Sequence, residues 1–364
     1  MRINRGKNRT GFSQFIFNLF RKNEAHLHEL SYLFWECTRR CNLKCLHCGS
    51  DCSADADAQE IPFDDFLQAI LPLKKIYERD SITVAITGGE PLLREDLPLC
   101  GRKLRENGFR WGIVTNGYGY TPDVHGKLLA AGMGSITVSL DGLEASHNWL
   151  RANDQSFERA VNAIGLIVSS KRLNYDVVTC VNKKNIHELE TLKEFLIEKR
   201  VKAWRLFTIS PIGRAANNND LCLTAEQLKQ LMDFIVLART DSRIFVTFCC
   251  EAYLGEYERK VRNDYFFCRA GIQIASVLAD GSISACPNIN RCFIQGNIYR
   301  DNFFDVWNNR FEVMRNRKWT KTGICKNCGT FKNCEGGAMH LWNEKQDSIM
   351  TCIYQQLRET SASN

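Results

Sequence analysis

From residue 31 to about residue 215, short runs of β-branched and aromatic residues alternate with longer amphipathic stretches, the pattern of βα units that assemble a parallel sheet. The expected strands are YLFWEC (32–37), ITVAIT (82–87), WGIVT (111–115), SITVSL (135–140), YDVVTCV (175–181) and AWRLFTI (203–209). Apolar positions at helical spacing predict helices from Phe63 to Tyr77, Leu97 to Asn107, Phe157 to Ser169 and Ile186 to Lys199. After the polar break NNND at 217–220, Thr224 and Gln227 are placed to cap a further helix running to Arg239. A strand-like RIFVTF follows, and beyond Cys268 the texture changes to short strands, turns and cysteines. The expected division is an N-terminal arm or helix (1–30), a barrel (31–240), a linker with a cysteine-rich domain (241–355) and a disordered polar tail (356–364).

Phe12, Phe15, Ile16, Leu19 and Phe20 fall on one helical stripe, which predicts a helix docked on the barrel. A membrane-surface or partner-binding helix is the alternative. No run approaches the roughly 20 apolar residues of a membrane span, and no signal peptide opens the chain. The basic, acid-free start to Glu24 is shared with organellar transit peptides, a weaker reading. Seventeen cysteines without a signal peptide point to thiols used for metal in a reducing cytoplasm rather than to disulfides. The net charge of +7 comes without a Lys/Arg block interleaved with aromatics, so nucleic acid is not indicated.

Each expected strand ends in a polar or glycine-rich motif: a three-cysteine loop, Gly-Gly-Glu-Pro, Thr-Asn-Gly, Ser-Leu-Asp-Gly, Val-Asn-Lys-Lys-Asn and Ser-Pro-Ile-Gly-Arg. In a parallel barrel these ends converge on one mouth, where ligands bind. Cys41, Cys45 and Cys48 stand in Cys-Asn-Leu-Lys-Cys-Leu-His-Cys. Three thiolates at that spacing hold three corners of a cubane iron–sulfur cluster and leave one iron open to a small molecule.

This loop, with the aromatic His47 before its third cysteine, resembles the signature of the radical S-adenosylmethionine (radical SAM) superfamily. The resemblance implies a partial (β/α)6 TIM-like barrel, a [4Fe-4S] cluster whose open iron chelates SAM, and reductive cleavage to a 5′-deoxyadenosyl radical. It also implies low oxygen and a flavodoxin- or ferredoxin-type electron donor. By the same resemblance, Gly88, Gly89 and Glu90 take the methionyl amino group, and Ser139 and Arg151 take the carboxylate. Asn116 and Asn182 are weaker candidates for ribose contacts, each also readable as a turn residue with a left-handed backbone. The two glycines of Gly-Gly-Glu-Pro leave backbone room for a ligand; taken alone the motif reads as a structural tight turn, and beside the three-cysteine loop the ligand role is favoured.

Cys325, Cys328 and Cys334 form C-x2-C-x5-C, with Cys352 further on, and cold this is a four-thiolate site for zinc or an iron–sulfur cluster. Cys268 and Cys286 are joined in C-x12-G-x4-C. Together these resemble the SPASM domain, an auxiliary-cluster module of radical SAM enzymes that modify peptides and proteins, which implies one or two auxiliary iron–sulfur clusters. The resemblance assigns Cys325, Cys328, Cys334 and Cys352 to the outer cluster. The inner one keeps only Cys268 and Cys286, because Ala338 stands where a further cysteine belongs; Cys292 is the remaining candidate for a third thiolate. Cys37 reads as a buried small hydrophobe, Cys52 fits no ligand spacing, and core packing is expected for Cys100, Cys180, Cys222, Cys249 and Cys250.

The expected activity is hydrogen-atom abstraction from a ribosomally made peptide or a protein. The catalytic acid or base is not identified. The alternative of sulfatase-type maturation is disfavoured because Pro287, which cannot accept a proton, follows Cys286. A second alternative, tetrapyrrole side-chain modification in haem biosynthesis, rests on the likeness of Ser-Pro-Ile-Gly-Arg (210–214) to those enzymes. A third is a non-catalytic iron–sulfur or zinc protein.

Overall fold

The computed structural model describes residues 5–54, 60–218, 220–249 and 251–362. The fold is the expected α/β one. Strands β1 (Tyr32–Thr38), β2 (Thr83–Gly88), β3 (Arg110–Thr115), β4 (Ser135–Ser139), β5 (Asn174–Val181) and β6 (Ala203–Thr208) lie side by side in chain order, all parallel. The sheet does not stop at the expected division at residue 240. Strand β7 (Phe245–Phe248) adds parallel to β6, and β8 (Ile274–Val277) adds parallel to β1 at the opposite edge. Strands β9 (Ser282–Ser284) and β10 (Gly296–Asn297) then extend that edge antiparallel. RIFVTF and the first strands after Cys268 are too short to reveal their partners from pattern alone.

Helices α1 (Arg5–Leu27), α2 (Phe63–Ile70), α3 (Leu97–Glu106), α4 (Pro122–Ala130), α5 (Glu144–Arg151), α6 (Ser156–Val168), α7 (Leu189–Glu198) and α8 (Ala225–Ala238) precede or connect the strands. The helix expected from 63 to 77 ends at Ile70 and tightens into a 3-10 turn, Leu71–Lys75, because Pro72 has no N–H for the ladder and its ring clashes one turn back. The one expected from Ile186 likewise opens as a 3-10 turn. The capping box at Thr224 and Gln227 forms as the sequence predicts. Trp35, Trp111 and Trp204 are wholly buried in the core. Trp111 demands a glycine opposite it, since a Cβ at Gly101 would stand 2.1 Å from its ring.

After β10 come α9 (Phe303–Asn309), α10 (Glu312–Arg315), α11 (Phe331–Cys334), a hairpin of β11 (Trp342–Asn343) with β12 (Ser348–Ile349), and α12 (Ile353–Ala362). The expected disordered tail is therefore helical through residue 362, with Leu357 buried and Ile353 buried at the start of the same helix; residues 363–364 lie outside the described residues.

Helix α1 corrects a second expectation. It docks on the cysteine-rich domain without burying the expected apolar stripe: Phe12, Phe15, Ile16, Leu19 and Phe20 remain 45 to 68% exposed, although the Phe20 ring meets Phe267 edge-on. Its grip is polar and aromatic. Asn18 donates to Asn333 Oδ1 at 2.9 Å, Arg21 donates to the carbonyls of Lys332 and Asn333 at 2.7 and 2.8 Å, and Phe17 packs 5.4 Å from Tyr265. Among the described residues, no helix is long and apolar enough to cross a membrane.

Candidate radical SAM site and auxiliary cysteine site

Leaving β1, the chain turns at Thr38 into a loop pinned at its far end by Cys41 N donating to Ser53 O at 3.0 Å. Cys41, Cys45, Cys48 and Cys52 pack into one sulfur-rich cluster with Leu43. Each of the three expected ligands meets an N–H group. Asn116 Nδ2 lies 3.9 Å from Cys41 Sγ, Arg151 Nη1 3.7 Å from Cys45 Sγ, and the Cys52 amide 3.4 Å from Cys48 Sγ. Such donors favour thiolates and tune the potential of a cluster held by them. Burial pushes the Cys41 thiol up to about 11, while a hydrogen bond from the Cys52 side chain draws the Cys48 thiol down. Cys52, which no ligand spacing singled out, is thus a direct neighbour of the ligands, and Cys37 is buried in the strand as expected.

The turn after β2 departs from expectation. Its glycines do not open room for a ligand: a Cβ at Gly88 would stand 2.2 Å from Thr38 O, and one at Gly89 2.1 Å from Arg40 O. The cluster loop fills that space. The amides of Gly89 and Glu90 donate to those same two carbonyls at 2.8 and 2.9 Å, so the carbonyl side of the turn is what it can offer an ammonium. The Glu90 carboxylate, fully buried, accepts from Thr115 Oγ1, Asn116 N and Leu92 N at 2.8, 2.8 and 3.2 Å and so locks Thr-Asn-Gly against the turn. Burial raises its pKa despite these three donors.

Arg151 was expected to clamp a carboxylate of SAM. Its Nε donates to Asp141 Oδ2 at 2.6 Å, with Nη2 at 2.6 Å from the same oxygen and Nη1 on Cys45, so the guanidinium is already oriented by a buried carboxylate and a ligand thiol. Burial alone would raise the Asp141 carboxyl, but Arg151 and then the imidazole of His47 outweigh it and hold the group below its usual range. Ser139, the last residue of β4, is half-buried. Asn116 and Asn182 both build turns: Asn116 Oδ1 accepts from Tyr118 N at 2.9 Å, and Asn182 Oδ1 from Lys184 N at 2.9 Å. Neither has a left-handed backbone. His47 Nδ1 is buried without a hydrogen-bond partner among the described residues, and burial lowers the ring's pKa to about 4. Ligating atoms of His47, Asp141 and Cys180 lie within 4.8 Å of one another, so Cys180 belongs to the mouth rather than to the core. Asp141 was visible inside Ser-Leu-Asp-Gly; Cys52 and Cys180 carried no local signal.

Cys325, Cys328, Cys334 and Cys352 line one cavity of about 540 Å³ beside Phe331 and Tyr354. Burial and then the neighbouring thiols push Cys334 up to about 12. A tetrahedral zinc with Zn–S bonds of about 2.3 Å draws its sulfurs to about 3.8 Å apart. Among the described residues, His47, Asp141 and Cys180 are the only ligand set within 4.8 Å of one another, so no three of these four thiols stand together at that spacing. Cys268 packs with Cys334 and Ala338, and buried Ala338 closes the position of the missing cysteine with a methyl group. Cys292 is exposed, and its thiol is raised to about 12 by burial and the Glu344 carboxylate. Cys286 is half-buried against the core. Cys100 is fully buried, Cys222 and Cys249 are half-buried, and Cys250 lies outside the described residues. No disulfide joins the described cysteines.

Comparison with known proteins agrees with this double site. The radical SAM superfamily profile matches residues 35–196, and that of the SPASM iron–sulfur cluster-binding domain matches residues 268–329. The chain is 30% identical over 326 residues to mycofactocin maturase MftC of Mycolicibacterium smegmatis, covering 84% of this chain and 77% of that protein. It is 24% identical over 348 residues to the AdoMet-dependent heme synthase of Nitratidesulfovibrio vulgaris, covering 90% and 93%. In fold it matches Streptococcus suis SuiB bound to its precursor peptide SuiA, with a TM-score of 0.68 at 18% identity over 90% of this chain and 76% of that one. It also matches anSMEcpe with bound AdoMet, with a TM-score of 0.70 at 18% identity over 91% and 95%. Three thiols at the barrel mouth, four more around a second cavity and these matches lead to one conclusion: the chain belongs to the radical SAM superfamily and is a radical SAM enzyme with a C-terminal SPASM iron–sulfur domain.

Proposed function

We propose that this enzyme is a peptide maturase, abstracting a hydrogen atom from a ribosomally made peptide. The observation that carries the reading is the 30% identity to MftC over 326 residues, covering 84% of this chain and 77% of that protein. When bound, the cluster and SAM supply a 5′-deoxyadenosyl radical. Cys41, Cys45 and Cys48 hold the cluster, and the N–H groups on their sulfurs stabilise the thiolate form. The carbonyls of the Gly88–Glu90 turn accept from the methionyl ammonium, Ser139 and Arg151 face the carboxylate, and the buried, orphaned Nδ1 of His47 accepts one hydrogen bond from SAM. Asn116 and Asn182 shape the turns beside the ribose. Cys325, Cys328, Cys334 and Cys352 would hold an auxiliary cluster, which when bound would supply an acceptor for the surplus electron, while Cys268 and Cys286 offer two thiolates to an inner site. A flavodoxin- or ferredoxin-type carrier supplies the reducing electron, and the setting is a reducing, low-oxygen cytoplasm.

The second reading is tetrapyrrole modification, favoured by one observation: the match to the heme synthase spans 93% of that protein. Both are tested by anaerobic incubation of the reconstituted enzyme with SAM, a reductant and, in separate reactions, short peptides encoded beside its gene or an iron porphyrin, in deuterated water, followed by mass spectrometry. Loss of two hydrogens means a cross-link, and deuterium uptake alone means epimerisation. SAM cleavage with every peptide unchanged and an iron-porphyrin propionate altered would replace the first reading with the second.

A further inference from the structure

The segment after β6, Ser210 to Arg214, lies flush on the cysteine loop. Gly213 has φ +57°, and a Cβ there would stand 2.4 Å from the carbonyl oxygens of both Cys48 and Gly49. Next to it, Arg214 reaches the loop at four points. Its amide donates to Cys48 O at 3.0 Å, Nε donates to Cys45 O at 2.7 Å, and Nη1 donates to Cys52 O at 2.9 Å and to Asp51 Oδ1 at 2.7 Å. The guanidinium is only 17% exposed, whereas Asp51 is 68% exposed. The ion pair with Asp51 is therefore worth little, and the charge-assisted bonds to carbonyls carry the contact. This stretch of loop has no helix or strand to satisfy its carbonyls, so it depends on donors brought from elsewhere.

We infer that Arg214 is a positioning residue for the SAM-cleaving cluster: it fixes the backbone of Cys45, Cys48 and Cys52 from the β6 side and so sets the spacing and electrostatic environment of the thiolates. The inference rests on the assignment of Cys41, Cys45 and Cys48 as cluster ligands. On the opposite side, the amide of Leu46 donates to Leu150 O at 2.9 Å and Arg151 meets Cys45 Sγ. The loop is held between two arginines, one acting on a sulfur and one on the backbone. Because Arg214 lies in the segment that leaves the mouth end of β6 at Thr208, displacement of that segment moves the cluster loop with it.

The test compares full-length, anaerobically reconstituted wild type, Arg214→Lys and Arg214→Ala. Electron paramagnetic resonance separates the SAM-cleaving cluster, whose spectrum changes on adding SAM, from the C-terminal cluster, which serves as an internal control. Arg214→Ala should release iron from the SAM-cleaving cluster to a chelator about tenfold faster, in the range typical of lost outer-shell partners. What remains should show an altered spectrum and a shifted midpoint potential, with the C-terminal signal unchanged. Arg214→Lys keeps the charge but not the fork, and should recover iron retention only in part, with the spectrum still altered. Unchanged spectra, potential and release in Arg214→Ala would overturn the inference, and so would equal loss of both clusters, which would make Arg214 a residue of the fold at large. A wild type with no SAM-sensitive signal would instead sink the assignment of the three cysteines.

Discussion

Arg151 Nη1 stands 3.7 Å from Cys45 Sγ while Nε of the same guanidinium donates to Asp141 Oδ2 at 2.6 Å. Both partners of this ion pair are buried, and Asp141 Oδ1 also accepts from Cys180 N at 2.9 Å. One carboxylate thus ties the ends of β4 and β5 to the helix that reaches the cluster. Neutralising Asp141 strands a buried cation beside a thiol. Asp141→Asn should cost about 3 kcal/mol or more of folding stability, read by urea denaturation of the anaerobic apo-protein. Stability within about 0.5 kcal/mol of wild type would mean that Arg151 finds water or another anion.

The two cysteine groups occupy separate parts of the fold: the loop after β1 and the cavity beside α11 and α12. Cys45→Ala should abolish 5′-deoxyadenosine formation yet leave iron on Cys325, Cys328, Cys334 and Cys352. Iron and sulfide analysis with a Mössbauer spectrum of that variant checks this. A protein purified with no iron at all would show that the C-terminal thiols hold no cluster of their own.

The six expected barrel strands were legible because strands and helices alternate with different hydrophobic periods, and because each strand ends in a polar motif. Pro72 shows where the periodicity misled: Leu71, Leu73 and Ile76 continue the apolar rhythm of a helix that the proline ring interrupts. The ligand loop was legible from spacing alone, since thiolates four and three residues apart must share a metal centre to be useful. What holds that loop was not. Thr38 and Arg40 filling the glycine turn, Arg151 on Cys45 and Arg214 on Cys45 and Cys52 are contacts between residues about 50 to 170 positions apart, and spacing carries no trace of them. The stripe of Phe12, Phe15, Ile16, Leu19 and Phe20 misled for a related reason: periodicity marks a helix face without naming what covers it.

His147 predicts a pH dependence. Its ring is fully buried; Nδ1 accepts from Asp141 N at 2.9 Å, which leaves Nε2–H to donate to Ser156 Oγ at 3.0 Å, so both nitrogens are satisfied in the neutral form. Burial, with Arg151 and His47 nearby, lowers the pKa to about 4 against the pull of Asp141. The unfolded chain protonates first as pH falls through about 6.5, so stability is full above that value and is lost on the way down to about pH 4. Between pH 7 and 5 this one group should remove about 2 kcal/mol. His147→Gln should start less stable but lose about that much less over the same interval in urea titrations of the apo-protein. A wild-type slope unchanged in the variant would place the pH sensitivity in other groups.

Helix α1 bears on the second cysteine site through Arg21, which is 4% exposed. Its guanidinium donates to the carbonyls of Lys332 and Asn333 and pairs with Glu335 at 3.2 Å, the residues on either side of Cys334. Glu335 adopts a left-handed backbone, φ +49°, so the chain around Cys334 is held in a conformation that costs free energy for a residue with a side chain. Removing the guanidinium leaves two carbonyls and a carboxylate without their donor, a loss of about 1–3 kcal/mol. If that energy holds Cys334 at the edge of the cavity, Arg21→Ala in the Cys45→Ala background, where the remaining iron is C-terminal, should release iron to a chelator several-fold faster than Cys45→Ala alone. In the otherwise wild-type chain, Arg21→Ala should leave the SAM-sensitive spectrum unaltered, because the partners of Arg21 are Lys332, Asn333 and Glu335 rather than residues of the β1 loop. Equal release rates would mean that Cys325, Cys328 and Cys352 fix the site without help from α1, and that the helix serves only to cover the aromatic surface of Tyr265 and Phe267.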